Sequence, residues 1–336
     1  MITQVQEAIT VWNRAVIVAP PGAGKTTIIP LKLLDNPNIN GQIIILEPRR
    51  LAARAAASQM AAILNERIGE TVGFKIKGLT KVGKQTRIVV MTEGILIRMI
   101  QSDPSLSEVG CIIFDEFHER SINSDLGLAL SLQLAEILRS DLRIIVMSAT
   151  LDVGPVSDLL ETKAPIISDG RAYQVNCEYL SRPSSKNVRL WENFAKLISD
   201  AFEMTEGGIL AFLPGEEEIR ATEKLLKEKL PNTAIIMPLY GSLPFEQQNK
   251  ILEPLKDETF RKVVLSTSIA ETSLTISGIK VVVDSGYTRR SRYDPTSGMS
   301  RLITQKISKA EANQRMGRAG RVAAVSYTHL TLPTKA

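Results

Sequence analysis

The segment VIVAPPGAGKTT, residues 16–27, decides the fold, because a short apolar run leads directly into a glycine-rich turn. Residues 27–34 follow the turn and favour a helix despite Pro30. A strand, a glycine-rich loop and a helix in this order are typical of a parallel α/β unit. Glycine tolerates unusual backbone dihedrals and adds no side-chain bulk, so the backbone N–H groups of such a loop can converge on an anion.

Short β-rich runs recur along the rest of the chain, and helix-like segments such as residues 51–68 separate them. The first series of predicted strands is 15–19, 43–46, 88–91, 111–114 and 144–147, and the second is 175–179, 209–212, 234–237, 262–265 and 280–284. Continuous apolar strands that alternate with helices indicate parallel sheets covered by helices on both faces. We therefore expect an α/β protein built from two similar units in tandem.

Glycines and prolines interrupt the regular pattern in residues 152–171, and the domain boundary is expected there. We assign residues 1–165 to a first domain and residues 166–325 to a second. Within the second domain, residues 287–304 alternate in character around the turn sequence DPTSG, 294–298, which predicts a β-hairpin.

The composition excludes several classes of protein. The chain has 336 residues, of which 44% are hydrophobic and 23% charged, and this argues against a disordered chain. No run approaches the roughly 18 uninterrupted apolar residues of a membrane span, so no membrane partner is expected. Residues 1–11 lack a basic stretch before an apolar run, which favours a cytoplasmic protein. Cys111 and Cys177 lie far apart within strand-like runs and are expected to be buried thiols rather than a disulfide or a zinc site.

The net charge of +5 conceals a basic block near the end of the chain. Residues 285–325 contain nine basic and two acidic side chains. Such a block is typical either of a contact with a polyanion, phosphate or nucleic acid, or of a solvated basic face.

The glycine-rich turn predicts a phosphate-binding loop. Lys25 is placed to reach the β and γ phosphates of a nucleotide, and the Thr26 hydroxyl is placed to bind Mg²⁺. Ala19 departs from the strict pattern, which begins with glycine, but the strand and helix stand on the correct sides of the loop. The candidate nucleotide-binding residues of this loop are Pro21, Gly22, Ala23, Gly24, Lys25, Thr26 and Thr27.

A second acidic site follows the apolar run CIIF, residues 111–114. In an open parallel sheet, the carboxylates of Asp115 and Glu116 would lie at the carboxyl edge, where ligands bind. Asp115 is expected to hold Mg²⁺, and Glu116 is expected to orient or deprotonate the attacking water. His118 is one of only two histidines, and these residues alone do not decide between a structural and a catalytic role for it.

The string Asp115-Glu116-Phe117-His118 resembles the DEAH-type signature of superfamily 2 helicases, and further strings resemble the other motifs in the family's order. These strings are EPRRLA (47–52, motif Ia), TEG (92–94, Ib), SAT (148–150, III), FLPG (212–215, IV), STSIAETS (266–273, V) and QRMGRAGR (314–321, VI). The fuller strings 46–54 and 114–121 look most like the bacterial HrpB-type ATP-dependent helicases.

The resemblance implies two RecA-like domains that bind ATP and Mg²⁺ in the cleft between them and move along a single strand, with RNA favoured over DNA. It implies roles for further residues of this chain. Arg318 and Arg321 are expected as arginine fingers, Gln314 as a residue that positions water, and His118 as a link to motif VI. Arg49, Thr92 and Thr267 are expected to contact the strand, and Ser148 and Thr150 to couple that contact to the nucleotide. The hairpin would act in strand separation.

The family's chains are much longer, and residues 326–336 depart from its pattern, so we interpret them as a non-native tail and leave them out of the fold prediction. Two other functions stay open from the sequence. One is a P-loop NTPase switch that recruits partners, and the other is a nucleic-acid-binding fragment with impaired turnover or unwinding.

Overall fold

The computed structural model describes residues 1–20, 24–149, 153–162, 164–168, 175–179, 190–271, 276–318 and 325–329. The chain divides into two compact units, Met1–Arg171 and Ala172–Ala336. None of the helices in the described residues has the length and apolar character needed to cross a membrane.

The first unit is an eight-stranded sheet flanked by helices. Its strands are β1 Arg14–Val18, β2 Gln42–Glu47, β3 Val72–Ile76, β4 Leu79–Lys81, β5 Ile88–Thr92, β6 Val109–Phe114, β7 Arg143–Ser148 and β8 Ile166–Ile167. Its helices are α1 Ile2–Val11, α2 Lys25–Leu33, α3 Arg50–Ile63, α4 Glu93–Ser102, α5 Ile122–Ile137 and α6 Gly154–Leu159. The strand order is β4-β3-β5-β2-β6-β7-β1-β8, and all neighbours pair in parallel except β3 and β4.

Alternate residues of the central strands enter two separate cores, as a sheet buried on both faces requires. Ile43 and Ile45 pack with α1, α2 and α3, whereas the intervening Ile44 packs with α4, α5 and α6. Because β-branched side chains fit a pleated surface, these isoleucine runs form strands despite having no polar face.

The second unit contains a six-stranded parallel sheet and a separate antiparallel ribbon. Its strands are β9 Val175–Tyr179, β10 Gly208–Phe212, β11 Ala234–Leu239, β12 Arg261–Ser266, β13 Ile279–Asp284, β14 Tyr287–Asp294, β15 Met299–Lys306 and β16 Val325–His329. Its helices are α7 Leu190–Met204, α8 Glu216–Lys229, α9 Phe245–Leu252 and α10 Lys309–Met316. The sheet order is β11-β12-β10-β13-β16-β9, and the ribbon is β14-β15.

The predicted fold class, two tandem RecA-like α/β units, is confirmed, with differences at the edges. The sheet of the first unit is not wholly parallel, because Lys77 and Gly78 form a two-residue turn that folds β4 back on β3. Gly78 has φ +84°, a left-handed conformation that such a turn needs. The first unit also extends past the predicted limit at residue 165, because Ile166 and Ile167 pair with Ile17 and Val18 of β1.

The first residues of the stretch predicted to be a non-native tail, 326–336, take part in the second sheet, and the non-native origin of the stretch stays a prediction. Residues 325–329 form strand β16, which pairs in parallel with β13 on one side and β9 on the other. The sequence VSYTH combines β-branched and aromatic residues, which favour strands, and a position between two strands satisfies its backbone groups on both sides. Residues 330–336 lie outside the described part of the chain.

Candidate functional site

The glycine-rich turn lies between β1 and α2 at the carboxyl edge of the first sheet. Gly24 occupies the N-cap of α2 with φ +74°, a left-handed conformation that glycine adopts without strain, and its carbonyl accepts from the N–H of Ile28 at 2.8 Å. Pro21, Gly22 and Ala23 lie outside the described residues. Thr27 is buried in the first turn of α2, and its hydroxyl donates to the Gly24 carbonyl at 3.4 Å.

Lys25 is the first residue of α2, and only 3% of it is exposed. Its Nζ lies 3.9 Å from Asp115 Oδ1 and 3.5 Å from Glu116 Oε2, but it has no hydrogen-bond acceptor among the described residues. A buried ammonium is costly unless its N–H groups are bonded. The N-terminus of a helix also favours negative charge. Both features fit a site for the phosphates of a nucleotide.

Two carboxylates follow β6 at the same edge. The Thr26 hydroxyl donates to Asp115 Oδ2, and the backbone N–H of Glu116 donates to Asp115 Oδ1 at 2.7 Å. Burial raises the pKa of the Asp115 carboxyl to about 6, against the opposing effect of the Lys25 ammonium. A hydroxyl and a carboxylate oxygen in contact are ligands of the kind Mg²⁺ prefers.

The strand β6 ends in a strained turn that carries the rest of the signature. Glu116 has φ 50°, which is unusual for a residue other than glycine, and residues Phe117–Glu119 form a single 3₁₀ turn. Within this turn, His118 Nδ1 accepts from the backbone N–H of Ala149 at 3.2 Å, and His118 Nε2 lies 3.5 Å from Glu116 Oε2. The turn therefore joins the Glu116 carboxylate to the end of β7. Ser148 is buried there, and Thr150 lies outside the described residues.

Two of the three residues expected to hold the strand lie along the same edge of the first sheet. Arg49 caps α3 and reaches Glu119 Oε2 at 3.5 Å, and Thr92 is the N-cap of α4. Beside Thr92 is a cavity of about 620 Å³ with four exposed basic side chains in its lining. These are Arg50, Lys75, Lys77 and Arg98. The sequence reasoning included Arg50 only within the motif Ia string and missed the other three, because they come from separate elements and belong to no contiguous basic run.

In the second unit, the motif V and motif VI residues meet at the carboxyl edge of the second sheet. Thr267 follows β12, and its N–H donates to the Leu239 carbonyl at 3.1 Å. Gln314 lies half-buried in α10. Arg318 is 6% exposed, and its Nε donates to the backbone carbonyl of Glu271 at 2.6 Å. Arg321 lies outside the described residues. The finger roles of Arg318 and Arg321 stay predictions.

The sequence reasoning also missed Arg315, which lies at the centre of this arrangement and is fully buried. Its Nε donates to Glu271 Oε1 and its Nη1 to Asp284 Oδ1, each at 2.7 Å, while Nη1 is 3.2 Å from the Tyr287 carbonyl. The guanidinium also lies 4.8 Å from the centre of the Phe212 ring. Burial alone lowers the pKa of this guanidinium, but the charges of Asp284 and Glu271 outweigh burial and raise that pKa. The sequence signal that could have indicated the Arg315 ion pair is Asp284, an acidic residue at the end of an apolar strand.

The basic block in residues 285–325 is partly neutralised within the second unit. Arg289 Nη2 donates to Glu218 at 2.7 Å, and Arg290 Nη2 donates to Glu311 at 2.6 Å. Arg315 is buried with two carboxylates. Arg315 is therefore not available to a polyanion, and the polyanion contact expected of this block stays a prediction. Arg292 and Arg301 are exposed on the ribbon, and Arg301 Nη2 lies 4.0 Å from Asp294 Oδ2.

The matches to known families divide the chain in the same way as the fold. Residues 3–159 match the DEAD/DEAH box helicase family, and residues 190–323 match the helicase conserved C-terminal domain. The chain therefore carries a DEAD/DEAH box helicase domain followed by a helicase conserved C-terminal domain.

Within that class, this chain is similar to HrpB. It is 46% identical over 317 residues to the ATP-dependent RNA helicase HrpB of Escherichia coli (strain K12), which covers 94% of this chain and 39% of that protein. It is 36% identical over 325 residues to the ATP-dependent RNA helicase DHX33 of Homo sapiens, covering 92% of this chain and 45% of that protein. The crystal structure of the Escherichia coli DEAH/RHA helicase HrpB superimposes with a TM-score of 0.92 at 45% identity, over 98% of this chain and 42% of that one. The resemblance stated from the motifs is confirmed, and the chain spans less than half the length of these relatives.

Proposed function

We propose that this chain is an NTPase motor of the ATP-dependent RNA helicase type, which hydrolyses Mg²⁺-ATP and is stimulated by single-stranded RNA. The observation that carries the proposal is the Lys25 ammonium. It is buried beside Asp115 and Glu116 without a hydrogen-bond acceptor in the described residues. A triphosphate would supply the missing acceptors.

Thr26 and Asp115 would hold the metal ion. Their oxygen donors fit Mg²⁺, which is usually bound by one or two protein ligands together with phosphates and water. The described residues contain no group of three or more His, Cys, Asp and Glu side chains able to form an all-protein metal cage, and such a site does not need one. When bound, Mg²⁺ would neutralise phosphate charge as the bond to the leaving group breaks.

Glu116 is the residue we propose as the base that orients and deprotonates water. Its Oε2 is 3.5 Å from both Lys25 Nζ and His118 Nε2, so two nitrogen groups fix its orientation. Phosphoryl transfer depends mainly on positioning and on stabilising charge on the phosphate oxygens. Gln314 as a water-positioning residue and Arg318 and Arg321 as arginine fingers complete the proposal on the basis of the family resemblance.

RNA is favoured as the polynucleotide, because the relatives reported above are named RNA helicases. Arg49, Thr92 and Thr267 are the proposed strand contacts. Contacts of this kind read the phosphate backbone rather than the bases, so binding should be insensitive to sequence and should weaken with salt.

The test is the rate of ATP turnover with and without single-stranded RNA or DNA of the same sequence. We expect RNA to raise turnover, and we expect Glu116→Gln to lower it by about 100-fold or more, as removal of a general base does. Glu136→Gln is the control, because Glu136 is an exposed acid on α5 whose partner is Arg14 at 3.8 Å. Turnover that RNA does not change would contradict the proposal and favour a switch protein.

A further inference from the structure

The segment 116–121 lies between the nucleotide residues and the strand-contact residues of the first unit. Its first member is the catalytic Glu116, and its last is Ser121, the N-cap of α5. Both Glu116 and Arg120 have positive φ, 50° and 52°, so two strained residues bracket the 3₁₀ turn. Strained backbone at such positions persists only when the surrounding contacts determine it, and it is common in switch regions.

The outer side of this turn contacts motif Ia. Glu119 Oε2 lies 3.5 Å from Arg49 Nη2, and both side chains are about a quarter exposed or less. The other oxygen, Glu119 Oε1, is buried and has no hydrogen-bond partner among the described residues. A movement of Arg49 would therefore leave the Glu119 carboxylate with still fewer partners, which couples the two positions.

The end of the turn contacts motif Ib. The Ser121 hydroxyl donates to Glu93 Oε2 and accepts from the N–H of Ser124 at 2.9 Å, so one side chain both caps α5 and holds Glu93. Glu93 is 8% exposed and directly follows Thr92. Burial raises the pKa of the Glu93 carboxyl, and the hydrogen bond from Ser121 opposes that rise, so Ser121 stabilises the ionised form.

Glu93 also links the Ser121 hydrogen bond to the basic cavity beside Thr92. It lines the same cavity of about 620 Å³ as Thr92, Arg50 and Arg98. A polynucleotide phosphate drawn to those cations would lie beside a carboxylate that Ser121 holds, and the repulsion would bear on this hydrogen bond.

Side-chain contacts also hold the middle of the turn in place. A movement of one end of the turn should therefore be passed on to the other end. Arg120 forms two hydrogen bonds to the Asp125 carboxylate, both at 3.1 Å, and its guanidinium lies 5.5 Å from the centre of the Phe117 ring. Phe117 packs edge-to-face on Phe114 of β6. Packed elements of this kind move between discrete arrangements rather than deform continuously.

We propose that residues 116–121 form a relay in which Glu119 and Ser121 act as positioning residues, transmitting strand contact at motifs Ia and Ib to Glu116. The inference rests on the proposed function and deepens it, because it states how RNA raises turnover. Glu119 and Ser121 touch neither nucleotide nor strand in this account. They act through Arg49, Glu93 and Glu116.

The experiment measures ATP turnover of the full chain against the concentration of single-stranded oligouridine, for the wild type and four variants. Ser121→Gly removes the donor to Glu93 but retains a residue that is tolerated at an N-cap, so α5 should still form. Ser121→Thr restores the hydroxyl. Glu119→Gln removes the ion pair to Arg49, and Glu136→Gln is the matched control, because it removes an acid paired with an arginine elsewhere in this unit.

The relay predicts that Ser121→Gly and Glu119→Gln lower the maximal RNA stimulation by about 5-fold or more, the lower end of typical coupling between sites. Turnover without RNA should change much less than that, and Ser121→Thr and Glu136→Gln should behave as the wild type.

Two results would overturn the relay. One is an equal loss of turnover with and without RNA, which would indicate a structural role. The other is a change only in the RNA concentration for half-maximal stimulation, which would indicate a direct contact. If the wild type itself shows no RNA stimulation, the proposed function fails and the relay fails with it. If the wild type is stimulated and the variants are stimulated equally, the relay alone fails.

Discussion

Both sheets carry a buried cation at the carboxyl edge, but the two cations have opposite surroundings. Lys25 in the first unit lies 3.5 Å and 3.9 Å from two carboxylates and lacks a hydrogen-bond acceptor among the described residues. Arg315 in the second unit has its guanidinium bonded to two carboxylates and a carbonyl and packed against an aromatic ring.

The difference distinguishes a cation suited to binding a ligand, Lys25, from a cation that stabilises the folded protein, Arg315. A buried charge without hydrogen bonds is unfavourable for stability. Its presence is explained if a substrate supplies the missing hydrogen-bond acceptors. A buried charge whose bonds are made inside the protein fixes the elements that supply the partners. In the second unit those elements are the segments that carry Phe212, Glu271, Asp284 and Tyr287.

The largest expected effect is on stability, in the second unit. Arg315→Met should lower the free energy of unfolding by about 3–5 kcal/mol, because it leaves Glu271 and Asp284 buried without their cation. The measurement is urea denaturation followed by fluorescence of Trp191, which packs on the core of this unit, in a Trp12→Phe background. A loss below about 1 kcal/mol would show that Arg315 is not the structural cation described here.

The reverse pattern is expected in the first unit. Lys25→Met should lower ATP turnover by about 100-fold or more, since it removes a preorganised charge at the phosphates. Without nucleotide, the free energy of unfolding should change by about 1 kcal/mol or less, because the cost of burying an ammonium with no hydrogen bond in the described residues offsets its attraction to Asp115 and Glu116. The same denaturation experiment checks this value with Trp12 as the reporter, in a Trp191→Phe background. Large losses of both stability and turnover would remove the distinction between the two cations.

A smaller effect sharpens the account of Arg315. Phe212 and Phe194 are both fully buried in the second unit, but of these two rings only that of Phe212 has a guanidinium over it among the described residues, at 4.8 Å from the ring centre. Phe212→Leu should therefore cost about 2 kcal/mol more in unfolding free energy than Phe194→Leu, the size of a desolvated cation–π contact. Equal losses in chemical denaturation would show that the ring contributes packing alone.

The smallest effect concerns the exposed ribbon. Arg290→Gln should lower the free energy of unfolding by about 0.2–1 kcal/mol, because it removes a partly exposed ion pair with Glu311 at α10. Arg292→Gln is the control, since Arg292 lies on the same strand and has no ion pair within the described residues. A larger loss for Arg292 than for Arg290 would reverse the roles assigned to them.

Most of the fold could be predicted, because the strands of both sheets are continuous apolar runs with turn signals beside them. Ile43–Leu46 and Cys111–Phe114 are examples that the structure places within β2 and β6. Two other strands, β4 at the edge of the first sheet and β16 inside the second, could not be predicted in this way. Leu79–Lys81 is entirely exposed, and β16 follows the motif strings in a stretch that departs from the family's pattern. Such strands depend on pairing with a neighbour rather than on an apolar run.

The meeting of the proposed nucleotide residues at one edge could be predicted, because the chemistry requires such residue types in short strings. Lys25, Asp115 and Glu116 are brought together by the parallel strand order, as expected for the carboxyl edge of a sheet. The Arg315 network and the contact between Ser121 and Glu93 could not be predicted. Each pair is joined only by tertiary folding, and an arginine or a serine in sequence does not reveal whether its partner is a ligand or a carboxylate.

The most direct test of the central claim is the affinity for Mg²⁺-ATP, measured by calorimetry in a Glu116→Gln background that slows hydrolysis. Adding Lys25→Met should weaken binding by about 10-fold or more, because a charge-assisted contact to phosphate contributes at least about 1.4 kcal/mol. Unchanged affinity would contradict the assignment of Lys25 as the cation that binds the triphosphate.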